Sequence, residues 1–309
     1  MLTPRATAAG SDARSMSDVP KGAGDPRHPR RRPISRAIAF IVVIALSSAG
    51  PDESFAEQNR EAMSKLEAHG DEIRLTGRID RSTSAAFAAL LDGPEAARFR
   101  VVRVNSTGGD ARAGIAIATL IRSRRLNLVV ERICGSACAA YLLPAAAHAR
   151  FEPGAMINLH HMPSPLMIQV GVAALRRREA GPGRATETPT SRYEAGMNGL
   201  IAHQRTFYES IGVDPLPMES IMEIWVELHQ RLTLLRKPVN PDRISFVPDN
   251  NFVQECLGLR NVEWRDFDVP DTILYARRGA QPQAFLINGY LYFEGEKVSE
   301  RDFSCRRPM

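Results

Sequence analysis

The sequence predicts an α/β fold built on a largely parallel sheet with crossover helices. Two observations carry this. Short β-patterned runs alternate with Ala-, Leu- and Ile-rich helical runs between residues 72 and 161, and a repeated strand–helix–strand order closes most readily as a parallel sheet. The composition, 44% hydrophobic and 24% charged over 309 residues, is that of a globular chain able to bury a large core.

Each element has its own signal. Residues 57–68 suggest a short helix or linker. EIRLTGRI (72–79) alternates apolar and polar residues and predicts a strand. STSAAFAALLDG (82–93) opens on hydroxyls, continues in Ala and Leu and stops near Gly93, which predicts a helix. FRVVRVNS (99–106) predicts a strand, and residues 109–126 a helix whose apolar face is Ile115, Ile117, Ala118 and Ile121. LNLVVER (126–132) predicts a strand, SACAAYLLPA (136–145) a helix and AMINLHH (155–161) a strand. Residues 176–192 are rich in Gly, Pro and Thr and predict a loop. Helices are expected again at about 193–211 and 217–236, and a short one over 252–259 ending at Gly258. Asn288-Gly289 between two apolar runs is a hairpin signal.

The first 56 residues have a different character. Residues 1–36 hold eight Lys/Arg and three Asp/Glu; the apolar block 37–50 follows, and Ser54-Phe55-Ala56 has the pattern read by signal peptidase. This predicts a signal peptide over 1–56, with Met1 or Met16 as the start, and a periplasmic or secreted protein. Because the apolar block is shorter than the ~20 residues that span a bilayer, an inner-membrane anchor through 37–50 is the secondary reading. The expected mature chain is a main domain at 57–262 and a mixed C-terminal extension at 263–309. Asp52 and Glu53 bring residues 1–56 to +3 of the net +5, leaving about +2 for the rest, and no basic stripe suited to nucleic acid appears there. Arg122 to Arg125 and Arg176 to Arg178 are expected to be solvated faces.

Four cysteines remain after the leader: Cys134, Cys138, Cys256 and Cys305. An even count in an exported chain suggests disulfides. Cys134 and Cys138 are close enough to close a small loop across a turn, or to remain two small buried thiols. No metal site is expected, since C-x3-C has no matching ligand pair and His160-His161 cannot easily both ligate from a strand.

The chemistry is carried by three strand ends. VNSTGGD (104–110) passes from strand to helix through Gly108-Gly109, a turn able to direct backbone N–H groups at a negative oxygen. Asp110 is expected to cap the helix that follows. Ser136 stands at the next strand-to-helix turn, and His160 ends the strand after it. In a parallel sheet these carboxyl ends gather along one edge. A hydroxyl, an imidazole and an N–H pair arranged so are the parts of an acyl-transfer site.

NSTGGDARAGIAIATLI, GSACAAYLL and RFEPGAMINLHH together resemble the Clp-protease-like branch of the ClpP/crotonase superfamily, and most closely its exported members that carry C-x-S-A-C. The resemblance covers about residues 70–165 and weakly extends to 260. It implies stacked ββα units with a helical excursion and a small C-terminal β element. It implies Ser136 as nucleophile, His160 as general base with His161 as rival, and oxyanion donors at Gly108, Gly109 and Ala137. An Asp that orients the histidine is implied at Asp242, with Asp249 as rival, and neither spacing matches the family cleanly. Thr107 stands where the family has proline. The implied activity is that of a serine peptidase on peptides or unfolded protein, without a cofactor and with a homo-oligomer among the expectations. The alternative is a catalytically inactive fold used for binding or assembly. Acyl-CoA chemistry of the crotonase kind is disfavoured by the export signal.

Overall fold

A computed structural model describes residues 64–179, 189–237, 244–248, 252–263, 284–287, 290–293 and 296–300. The leader, Asp242, Asp249, Asn288, Gly289 and Cys305 lie outside these residues. Among the described residues a seven-stranded sheet forms the centre: β1 (Lys65–His69), β2 (Glu72–Ile79), β3 (Val101–Gly109), β4 (Asn127–Gly135), β5 (Ala149–Phe151), β6 (Met156–Asn158) and β8 (Val262–Glu263). β1 pairs antiparallel with β2, and every other pairing in this sheet is parallel. The expected α/β class with a mostly parallel sheet is therefore what the chain adopts.

The alternation seen in β2 and β3 becomes a two-faced sheet. Ile73, Leu75, Val102 and Val104 point into the core. The opposite face holds Arg103, which bonds Glu72 through two nitrogens and Glu152 through a third. α1 (Arg81–Asp92) and α2 (Ala111–Ser123) cross over between strands and bury Phe87, Leu91, Ile115, Ile117, Ala118 and Ile121 on the core side.

Caps fix where these helices begin. Asp80, not the hydroxyls after it, is the N-cap of α1; its carboxylate accepts from the Thr83 N–H at 2.8 Å while the Thr83 hydroxyl reaches back to the Asp80 N–H. Hydrogen bonds donated to the Asp80 carboxylate by the Ser82 hydroxyl, the Thr83 N–H and the Thr83 hydroxyl hold it down at about 2. Asp110 caps α2 by accepting from the Ala113 N–H, as its position suggested.

Several elements differ from expectation. Residues 65–69 form edge strand β1, because the Gly70 turn folds them back onto β2. β4 runs on to Gly135, beyond the Arg132 limit read from its apolar run, because β6 continues the ladder opposite Ile133, Cys134 and Gly135. The helix after Ser136 is a π-turn, Cys138–Leu142, followed by the short α3 (Leu143–Ala145). The segment expected as a loop is helical at both ends: α4 (Pro165–Glu179) runs past its start and α5 (Pro189–Ile211) begins within it. α6 (Leu216–Leu234) follows.

A smaller four-stranded sheet has the order β11 (Glu296–Glu300), β10 (Tyr290–Phe293), β9 (Ala284–Ile287), β7 (Ile244–Phe246). Ile287 pairs with Tyr290 in the antiparallel β9–β10 register, as the hairpin signal required. The two sheets meet where Leu159 and Phe246 exchange backbone hydrogen bonds of 2.7 and 2.8 Å. His160 and His161 follow this seam directly. Replacing Asp80 by Ala removes the α1 cap and is expected to lower stability by about 1 kcal/mol, measurable in a urea melt.

Candidate active site

Three parallel strands deliver the site. β3, β4 and β6 end side by side at Gly109, Gly135 and Asn158, and their ends touch through backbone. The Ser136 N–H donates to the Asn158 carbonyl at 2.8 Å. A Cβ on Gly108 would lie 2.4 Å from the Gly135 carbonyl oxygen and 2.7 Å from the Ser136 Cβ. Glycine is thus required at 108 by contact as well as by its φ of +94°.

Ser136 is singled out by both burial and backbone. Every other residue from Ile133 to Ala146 is buried, and Ser136 alone in that stretch reaches the surface. Its φ is +47°, in the left-handed region that costs a non-glycine residue about 1–3 kcal/mol. His161 has φ +46°. The other non-glycine residues with positive φ among those described are Arg125 and Arg236. Both of these follow helix C-caps, where a left-handed residue is an ordinary terminator. Ser136 and His161 terminate no helix, yet both line one cavity of about 170 Å³.

The remaining walls have two characters. Gly109 and Ala137 stand beside Ser136, and Met162, Pro163, Met167, Met197 and Leu200 make the rest largely apolar. The Gly108 N–H is taken by the Ser106 hydroxyl at 3.1 Å. Of the glycine pair, Gly109 is the residue that lines the cavity. His160 is not among the lining residues; its Nδ1 lies 3.3 Å from the Nδ1 of His161. So the structure brings Ser136, Ala137, Gly109 and His161 together and places His160 behind His161.

His161 is enclosed on its other side. Its ring lies 4.5 Å from that of Trp225 on α6, and Trp225 stacks on His229 at 5.8 Å. Burial pushes the His161 imidazole down to about 4 and lowers that of His229. No sequence signal marks Trp225 as a neighbour, since 64 positions separate it from His161.

Cys134 and Cys138 form a disulfide with Cα atoms 5.2 Å apart, and Cys256 is disulfide-bonded as well. The first bridge straddles Ser136 and ties the last turn of β4 to the π-turn; both its cysteines are fully buried. Gly135 is hemmed in too, since a Cβ there would lie 2.4 Å from the Asn158 Oδ1. That oxygen is buried and accepts no hydrogen bond.

Two expectations follow. Replacing both Cys134 and Cys138 by Ala should cost about 2 kcal/mol, the loop-closure value for so short a loop, in denaturant melts of oxidised protein. The second concerns pH. The native state holds His161 at about 4, against 6.5 when unperturbed, so the unfolded chain takes up the proton first as pH falls. Stability from this group is complete above pH 6.5 and is lost progressively towards pH 4, about 3 kcal/mol in all. Melts at pH 7.5 and pH 5 should show the loss, and His161→Gln should flatten that slope.

A scan against protein-family models finds no match, and neither does a search of curated proteins. Among solved structures the chain is similar to a mutant of the 1510-N membrane-bound stomatin-specific protease, with 14% identity and a TM-score of 0.35 over 67% of this chain and 82% of that one.

Proposed function

We propose that this protein is an exported Clp-like serine hydrolase, acting on peptides or unfolded segments with Ser136 as nucleophile and His161 as general base. The observation that carries this reading is the pair of left-handed, non-terminal residues, Ser136 and His161, on one cavity. Backbone strain of this kind is retained where it aims a side chain. The leader pattern and the buried disulfide support export to an oxidising compartment.

The chemistry follows from the groups present. The Nδ1 contact with His160 leaves the Nε2 of His161 for the Ser136 hydroxyl. With the His161 Nδ1–H donated to the Nδ1 of His160, Nε2 carries the lone pair that a base requires. His160 then orients the imidazole, the task that the sequence resemblance gives to Asp242 or Asp249. Ser136 Oγ attacks the substrate carbonyl as its proton passes to His161. The resulting oxyanion is held by the N–H groups of Gly109 and Ala137. His161 returns the proton to the leaving amine as the C–N bond breaks. Water, deprotonated by His161, then splits the acyl ester and restores the Ser136 hydroxyl. Met162, Met167, Met197 and Leu200 suit an apolar side chain next to the scissile bond. The cavity is of the size that accepts a benzene-like group, for which about 150 Å³ suffices.

A fluorophosphonate probe tests the reading. Wild-type protein should be labelled and Ser136→Ala should not. His161→Ala should slow labelling by 10²-fold or more. Neutral His161 persists well into acid, so the acid limb of the labelling rate should fall below pH 6.5. A cooperatively folded wild type that takes no label would instead assign the chain to a non-catalytic Clp-like fold that binds peptides.

A further inference from the structure

We propose that Gln204 is a positioning residue that latches α5 to both halves of the site, so that nucleophile and base are brought into register only when α5 is docked. This rests on the hydrolase reading above. α5 lies across the cavity and contributes Met197 and Leu200 to its wall. Gln204 follows Leu200 by four residues and Met197 by seven, which places it on the same helix stripe. That stripe is otherwise apolar where it meets the site, so a buried amide in it requires a reason.

Gln204 is fully buried. Its Oε1 accepts from the Tyr141 hydroxyl at 2.8 Å, and its Nε2 donates to the Pro163 carbonyl at 3.1 Å. A carbonyl only accepts, so Pro163 fixes which end of the amide faces it. Tyr141 belongs to the π-turn that begins just after Ser136, and Pro163 is two residues beyond His161. Both line the cavity. One side chain on a third element therefore joins the segment that carries the hydroxyl to the segment that carries the imidazole.

α5 is tied at other points as well. Arg112 donates to the Gly196 carbonyl at 3.3 Å. Arg205 forms a two-pronged pair with Glu219 on α6, the helix whose Trp225 packs against His161. Loss of the Gln204 bonds would leave the Tyr141 hydroxyl and the Pro163 carbonyl buried without that partner, a condition relieved by movement of α5 or of the walls.

The experiment compares Gln204→Met, Tyr141→Phe and the double variant, with Leu91→Ala, at the end of α1 held by Arg124, as a control destabilised at the opposite edge of the sheet. Saturation kinetics of fluorophosphonate labelling are recorded well below each melting temperature. The expected result is a maximal labelling rate about 10-fold lower in each single variant, with half-saturation unchanged. The double variant should be no slower than the slower single one, and Leu91→Ala should label at the wild-type rate. A wild-type rate in folded Gln204→Met, or losses that multiply in the double variant, would overturn the latch. If wild-type protein takes no label, the hydrolase reading fails separately, and the latch is decided by amide hydrogen exchange. Faster exchange in Gln204→Met at both 139–142 and 157–163 then supports it, and unchanged exchange at both removes it.

Discussion

The close approach of three strand ends is the constraint on which the rest of the site depends. Backbone atoms of the 108–109 turn, the 135–137 turn and Asn158 pack against one another where any Cβ at Gly108 or Gly135 would collide. The contact brings the α2 N-terminus, the Ser136 hydroxyl and the strand leading to the histidines within one small region. The parallel sheet supplies the direction and glycine supplies the proximity. Side chains then act on a frame set by the main chain.

Around that frame, the helices after residue 164 enclose the imidazole and supply apolar walls. α6 presents Trp225 to His161, while α4 and α5 contribute Met167, Met197 and Leu200. Enclosure and basicity are in tension. The burial that keeps His161 neutral also lowers its affinity for the proton it would accept. The Nδ1 of His160, 3.3 Å from that of His161, is a polar contact on the ring.

Much of the frame was legible in the sequence. Period-2 alternation located β2, the Ala/Ile stripe located α2, and Gly108-Gly109 with Ser136 marked two of the strand ends. What was not legible depended on distant partners. β5 and β8 are too short to show a pattern and exist because each has a neighbour to pair with. Pro, Gly and Thr around 176–192 spoke for a loop, yet α4 and α5 extend into this region, stabilised in part by Gly171 lying against the Tyr193 ring. The strand expected over 155–161 stops at Asn158, so His160 and His161 lie beyond it, where alternation of faces no longer tells which ring meets the cavity and the positive φ at His161 turns the chain. Gln204 and Trp225 carry no local signal; their meaning lies entirely in what they touch.

The bridge beside Ser136 also bears on how the molecule matures. Its two sulfurs belong to residues four apart, so they remain at high effective concentration even in a disordered chain. That proximity favours the local pairing over combinations with Cys256 or Cys305, which require closure of far longer loops. Once the sheet has formed, the same bond lies sealed in the core, remote from soluble reductants. Oxidation of this pair is thus best suited to a nascent chain emerging into an oxidising space, and protein made in a reducing cytosol would carry the dithiol into its folded interior.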